Sequence, residues 1–255
     1  MISLQRLNQD TTWKIAIANR TLLLDPWLTG SEIDGFSWFN EQWHATPPVP
    51  IEDLGKIDHI IISQPFSDHC HEETLQLLSP EIPIAAVPAA RKRLGKTFGQ
   101  SRAFQTIPEY KNGFWNLGEL RFAQFRMASL LDQVHNALLI LSPNEENVFY
   151  APHGFVPNAK QIAVLKQYPI HVLITTVSEY HLPFFLGGTV NLGLGVLQKL
   201  AQILNPRHII STHDEQKYAK GLVPKIARTF YPGAATVLEK QANYMAVEDY
   251  GVVEL

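Results

Sequence analysis

An apolar strand that stops abruptly at a cluster of ionisable residues constrains this chain more than any other feature. Ile60-Ile61-Ile62 runs straight into Ser63-Gln64-Pro65-Phe66-Ser67-Asp68-His69-Cys70-His71-Glu72-Glu73. Isoleucines in series favour a buried strand, and Pro65 cannot continue a central one, so the chain turns there. Glu72 and Glu73 then lead into Leu75, Leu77 and Leu78, the pattern of a helix with carboxylates in its first turn, where they complement its dipole. Asp68, His69 and His71 are thereby predicted to lie between a strand's end and a helix's start, held by rigid elements yet open to solvent. Each has a bland reading as well. Asp68 suits a helix N-cap, His69 a loop hydrogen bond, His71 an exposed place in the first turn, and Cys70 a small buried packing position.

The rest of the chain reads as strands and helices around this stretch. Trp13–Ile17 and Thr21–Asp25 form a hairpin pattern that stops at Asp25-Pro26-Trp27-Leu28, where Asp25 reads as a turn residue capping nearby backbone donors. Residues 31–50, with Phe36, Trp38, Phe39, Trp43 and three prolines, read as a loop whose tryptophans could cover an opening. Ile82–Val87 reads as a strand, and Pro88 suits the first turn of a helix running to about Phe98. Strand-like runs follow to Met127, and a hairpin joins Asn136–Leu141 to Val148–Ala151. After Asn158 come a helix, a strand over His171–Thr176, a long loop to Asn191 and a helix ended by Pro206. The strand His208–Ser211 then runs into Thr212-His213-Asp214, again a strand end followed by ionisable groups. Val223–Phe230 reads as a helix and Thr236–Lys240 as a strand. At this length a single domain over residues 1–255 is expected.

Ser63 to His71 resembles the signature of the metallo-β-lactamase fold superfamily, in which a strand ends in Ser/Thr-His-x-His-x-Asp-His and a helix follows. Asp25-Pro26-Trp27-Leu28 is similar to a turn in its lactonase-like branch of metal-dependent hydrolases. The resemblance implies an α/β (α+β) fold, a four-layer αββα sandwich of two mixed sheets flanked by helices, and the alternating pattern agrees with it. Aligned on Asp68-His69, the family's first two metal-binding histidines fall on Gln64 and Phe66. Phe66 cannot ligate, and a Gln amide is a poor partner for zinc. The family's next histidine falls near Met127-Ala128-Ser129, where this chain has none. Its bridging aspartate falls on His153 in Tyr150-Ala151-Pro152-His153-Gly154, and its late histidine on His213. The losses therefore fall on one of the family's two metal sites. The resemblance leaves Asp68, His69, His153 and His213 as a set for one divalent ion, zinc or else iron or manganese. It leaves equally a polar relic that holds no metal.

The functional expectation follows from that set: a metal-dependent hydrolase acting on a small ester, lactone or phosphoester, with Asp68 and His153 in catalytic roles. The alternative is an inactive member that binds a small molecule or partner. The glycine-containing run Leu186–Gly193 is similar to a loop of the lactonase-like branch, and Gly188, Thr189 and Asn191 could take an anionic group of the substrate there. Glu179 and His181 lie beside it, where they could protonate a leaving group. A net charge of −3 gives no electrostatic case for nucleic acid. No apolar run is long enough to span a bilayer, no secretory signal opens the chain, and the single cysteine suits a reducing, cytoplasmic compartment.

Overall fold

The computed structural model describes residues 1–127, 132, 134–247 and 250–255. Its elements in chain order are β1 (Ser3–Arg6), β2 (Trp13–Ile17), β3 (Arg20–Leu24), β4 (Glu32–Ile33), β5 (Asn40–Trp43), β6 (His59–Ile62), α1 (Glu72–Leu77), β7 (Ile84–Ala86), α2 (Pro88–Phe98), β8 (Phe104–Thr106), β9 (Trp115–Leu117), β10 (Leu120–Phe125), β11 (Ala137–Leu141), β12 (Val148–Ala151), α3 (Ala159–Leu165), β13 (Val172–Thr176), β14 (Glu179–His181), β15 (Thr189–Leu192), α4 (Gly193–Leu204), β16 (His208–Thr212), β17 (Tyr218–Gly221), α5 (Val223–Ile226), β18 (Arg228–Phe230), α6 (Ala234–Lys240), β19 (Tyr244–Met245) and β20 (Val252–Glu254). They fall into two compact units. One comprises Met1–Trp115, Glu215–Pro224 and the C-terminal residues to Leu255; the other comprises Asn116–Asp214 and Lys225–Val247.

The first unit is built on a seven-stranded mixed sheet in the order β20-β1-β2-β3-β6-β7-β8. Its first half is antiparallel, and β3, β6, β7 and β8 are parallel. The sequence explains β6: Ile60, Ile61 and Ile62 are all 0% exposed between two parallel neighbours, each burial worth about 1.5–3 kcal/mol. Pro88 opens α2 as expected, and Ala90 and Leu94 form its buried stripe. Residues 31–50 are less irregular than the prolines suggest. β4 and β5 pair there, and the returning β17 adds to β5, giving a small sheet β17-β5-β4. Its strands come from distant parts of the chain, and such pairing leaves no local periodicity to read.

The second unit is built on another seven-stranded mixed sheet, β19-β16-β13-β12-β11-β10-β9. The expected β11–β12 hairpin is present, and β12, β13, β16 and β19 run parallel. Leu197, Leu200, Ala201 and Leu204 are buried along α4. The expected long loop before Asn191 is instead a hairpin of β14 and β15, joined on its other edge by β18. Two further expectations are corrected. Val223–Phe230 splits into the short α5 and the strand β18, while Ala234–Lys240 is the helix α6, not a strand. β18 owes its existence to β14, a partner about fifty residues away, which outweighs local propensity. In α6 only Val237 is buried among its residues, a pattern that does not separate helix from strand by periodicity. Among the described residues no helix is long and apolar enough to cross a membrane.

Candidate functional site

In the first unit, the β6–α1 loop is closed by the amides of His69 and Cys70, which both donate to the Phe66 carbonyl at 3.1 and 2.7 Å. His71 ends the loop as the N-cap of α1, its Nδ1 accepting from the Thr74 amide at 3.3 Å. That corrects two expectations at once. Asp68 is not the cap, and His71 is buried rather than exposed in the first turn. Cys70 is fully buried, and burial pushes its thiol up to about 12, so it packs and does not react.

Asp25, expected to cap a turn, does more than that. Its backbone takes φ +46°, a conformation Asp tolerates, and its fully buried carboxylate accepts three hydrogen bonds. Ser63 N donates to Oδ1 at 2.7 Å, Ser63 Oγ to Oδ2 at 2.5 Å, and His69 Nδ1 to Oδ2 at 2.7 Å. The Asp25–His69 bond fixes the imidazole with its Nδ1 protonated. Nε2 remains as the coordinating atom, 3.5 Å from Asp68 Oδ2. Burial opposes a charge on His69, yet Asp68 and Asp25 outweigh it and raise its pKa to about 9. Thr11 Oγ1 holds the Asp68 carbonyl at 2.7 Å, tying the loop to the β1–β2 turn.

The surroundings of Asp68 in this unit carry a surplus of carboxylates. Burial and the Asp68 charge raise Glu32 to about 8, and Ser67 Oγ donates to its Oε2 at 2.6 Å. Burial and Asp68 also raise Asp34. Lys217 answers them from the returning segment. Its Nζ lies 2.8 Å from Asp10 Oδ2 and 5.2 Å from the Trp27 ring centroid. Burial works against its charge, but Asp10, Asp68 and Glu32 hold it firmly protonated. One lysine faces several acids. A region of this kind favours the entry of a further cation.

In the second unit, His153 follows the end of β12 and His213 the end of β16. The His213 backbone is left-handed at φ +57°, and its ring stacks on that of His153 with centroids 4.5 Å apart. A hydrogen-bonded chain positions both. His153 Nδ1 meets Asn191 Oδ1 at 2.7 Å, Asn191 Nδ2 donates to Ser178 Oγ at 3.0 Å, and Ser178 Oγ donates to the His213 carbonyl at 2.9 Å. This network assigns the proton to His153 Nδ1, which makes Nε2 the ligand atom of the ring. The groups expected to serve an anion have hydrogen-bond partners within this unit. Asn191 supports His153, Thr189 Oγ1 meets His181 Nδ1 at 3.0 Å, and the Gly188 amide donates to Pro183 O at 3.3 Å. Glu179 and His181 pair with each other at 3.2 Å, both 43% exposed. His135 is held between Asp132 and the Val190 carbonyl. The expected histidine position near Ala128-Ser129 lies outside the described residues.

One ligand atom from each of Asp68, His69, His153 and His213 lies within 4.8 Å of the others. Bonds of 2.0–2.2 Å to a tetrahedral ion would set such atoms about 3.4 Å apart. Three imidazoles, two with Nδ1 already engaged, and one carboxylate fit a divalent metal chemically.

The sequence model described as a β-lactamase superfamily domain matches residues 7–213 of the 255. The chain belongs to this family. The superfamily domain shares its fold with the isothiocyanate hydrolase from Delia radicum gut bacteria, at TM-score 0.70 and 16% identity over 99% of this chain and 98% of that one. It is likewise similar to Igni18, a metallo hydrolase from Ignicoccus hospitalis, at TM-score 0.70 and 14% identity over 99% and 97%. A third likeness is to CmlA, a diiron β-hydroxylase from Streptomyces venezuelae, at TM-score 0.61 and 14% identity over 83% of this chain and 44% of that one. Comparison with curated proteins finds no match. Two large mixed sheets with their helices are thus the fold class expected from the sequence. Three positioning roles were not read from the sequence. Asp25 was visible in its Asp-Pro-Trp-Leu turn but assigned only a cap, Asn191 was singled out as an anion contact rather than as the partner of His153, and Ser178 carries no local signal.

Proposed function

We propose that this superfamily domain is a metal-dependent hydrolase with a reduced, single-metal centre, acting on a small ester, lactone or phosphoester. The observation that supports it is the convergence of Asp68, His69, His153 and His213 within 4.8 Å. A divalent ion held there would lower the pKa of a water and polarise the bond to be cleaved. The protein's own part is orientation and charge. Asp25 holds His69 Nδ1 and Asn191 holds His153 Nδ1, which makes Nε2 the ligand atom of each ring. If His153 leaves the ligand set, the same Nε2 serves as a general base, with Asn191 keeping its tautomer. Lys217 balances the acids around Asp68. The buried lone cysteine suits a reducing compartment.

The absence of histidine at positions 64 and 66 supports a second reading, a binding protein that has given up catalysis. The likeness to a diiron β-hydroxylase supports a third, iron at the centre with redox chemistry. Elemental analysis of gently purified protein separates these, run beside Asp68→Ala and His213→Ala and followed by an ester, lactone and phosphodiester panel. Stoichiometric metal lost in both variants, with turnover by the parent, is the expected result. A parent without metal leaves the binding reading. Iron bound without hydrolysis favours the redox reading.

A further inference from the structure

In the second unit, the tip of the β14–β15 hairpin is apolar and stands in solvent. Leu182-Pro183-Phe184-Phe185-Leu186-Gly187-Gly188-Thr189-Val190 carries no charged residue, and Phe184 and Phe185 are 94% and 81% exposed. Among the described residues no large apolar side chain is more exposed than Phe184. The tip is nonetheless well ordered by its own backbone. Phe184–Leu186 form a short 3-10 turn, with the Leu186 amide donating to Pro183 O at 2.8 Å and the Gly187 amide to Phe184 O at 3.2 Å. Across the base, the Leu182 amide donates to Gly188 O at 2.8 Å. Gly187 and Gly188 take φ of +113° and +73°, and among the described residues a Cβ added at either would meet nothing within 4 Å beyond its chain neighbours. The hairpin thus holds two phenyl rings out in water, an arrangement that gains stability only where something apolar receives them.

Area, shape and charge select the receiver. Phe230, on β18 of the same small sheet, adds a third ring at 58% exposure. A phenylalanine presents about 150–250 Å², so even fully covered these rings fall short of the roughly 800 Å² that each side of a stable protein interface buries. A convex apolar tip enters a fluid hydrocarbon layer without needing a matching hollow. The strand register pairs Arg228 with His181, the residue that leads into the tip, so this exposed arginine stands at the tip end of β18. Residues 225–238 contain two cations, Lys225 and Arg228, and no acid, while Glu179 on β14 is paired with His181. We propose that the β14–β15 tip is a membrane-surface anchor: Phe184 and Phe185 enter the acyl region of a bilayer, and Arg228 meets the headgroups of anionic phospholipids. The tip lies in one leaflet and spans nothing. None of the four metal-binding side chains takes part, so the anchor and the hydrolase reading stand or fall separately.

The test is flotation of the full chain with vesicles of phosphatidylcholine and phosphatidylglycerol in equal parts, beside vesicles of phosphatidylcholine alone. The parent should float with the mixed vesicles, less with the neutral ones, and less again as salt is added. The double variant Phe184→Ser/Phe185→Ser should lose at least about tenfold in affinity for the mixed vesicles, with the parent's unfolding midpoint kept because both rings are exposed. Arg228→Gln should lose about fivefold on the mixed vesicles and nothing on the neutral ones. Phe185→Trp should keep binding, and the introduced indole should be quenched by phospholipid brominated on its acyl chains. A parent that floats with neither vesicle, or equally with both, overturns the assignment. So does a double variant that binds within about twofold of the parent, or an introduced indole that the brominated chains leave unquenched. A parent that is dimeric in solution and becomes monomeric in the double variant gives the tip to a second copy of the chain and overturns it too.

Discussion

Replacing Asp25 by Asn tests the idea that a buried carboxylate, rather than the turn it sits in, sets up His69. The substitution keeps side-chain shape, and Asn tolerates the φ of +46° as well as Asp does, so the backbone has no reason to move. What changes is the Oδ2 position, which accepts from both Ser63 Oγ and His69 Nδ1. An NH2 group there faces two donors. Two charge-assisted bonds are lost at about 1.5–3 kcal/mol each, and about 1 kcal/mol returns if His69 switches tautomer and accepts at Nδ1. The net expectation is roughly 2–5 kcal/mol of lost stability, measured by urea unfolding of the metal-free protein. The tautomer switch matters more for function. It puts the proton on Nε2, the atom needed for coordination, so metal affinity should fall by about 10–100-fold in chelator competition. If Asp25→Asn binds metal like the parent and loses less than about 1 kcal/mol, Asp25 is only the turn cap its sequence suggests.

Three other outcomes follow from the same geometry. Lys217→Met strands Asp10, which is 1% exposed and paired to the ammonium at 2.8 Å, and should destabilise the protein by about 3–5 kcal/mol in denaturant unfolding; a loss within experimental scatter would show that Asp10 does not depend on it. Gly154 has φ +89°, and a Cβ there would lie 2.9 Å from Leu192 Cβ, so Gly154→Ala should cost about 1–3 kcal/mol and displace the neighbouring His153, lowering metal affinity; an unchanged melting curve would contradict the close approach. Burial and the nearby His208 hold His171 below its ordinary pKa, so the unfolded chain takes up a proton first as pH falls. Its contribution is intact above the unfolded value of about 6.5 and is lost as pH drops through the folded value. His171→Asn should therefore lose less stability than the parent between pH 8 and 5, and parallel pH curves would rule that out.

The sequence by itself determined what local chemistry can encode. Three isoleucines before a proline specified the buried β6 and the turn after it, and Asp68, His69, His153 and His213 were each legible because each stands where an apolar run ends. The same reading failed wherever a residue's role depends on a partner far along the chain. Asp25 looked like a cap, although its carboxylate is spent on Ser63 and His69, about forty positions away. His71 looked exposed and is buried as the cap of α1, while Asn191 and Ser178, which position His153 and His213, sit in a segment that reads as loop. β18 exists because β14 offers it an edge, and Lys217 is buried because acids from distant segments surround it. Tertiary structure decided these points because a hydrogen bond or an ion pair depends on distance in space and not on separation along the chain, and the one-dimensional pattern records only the second.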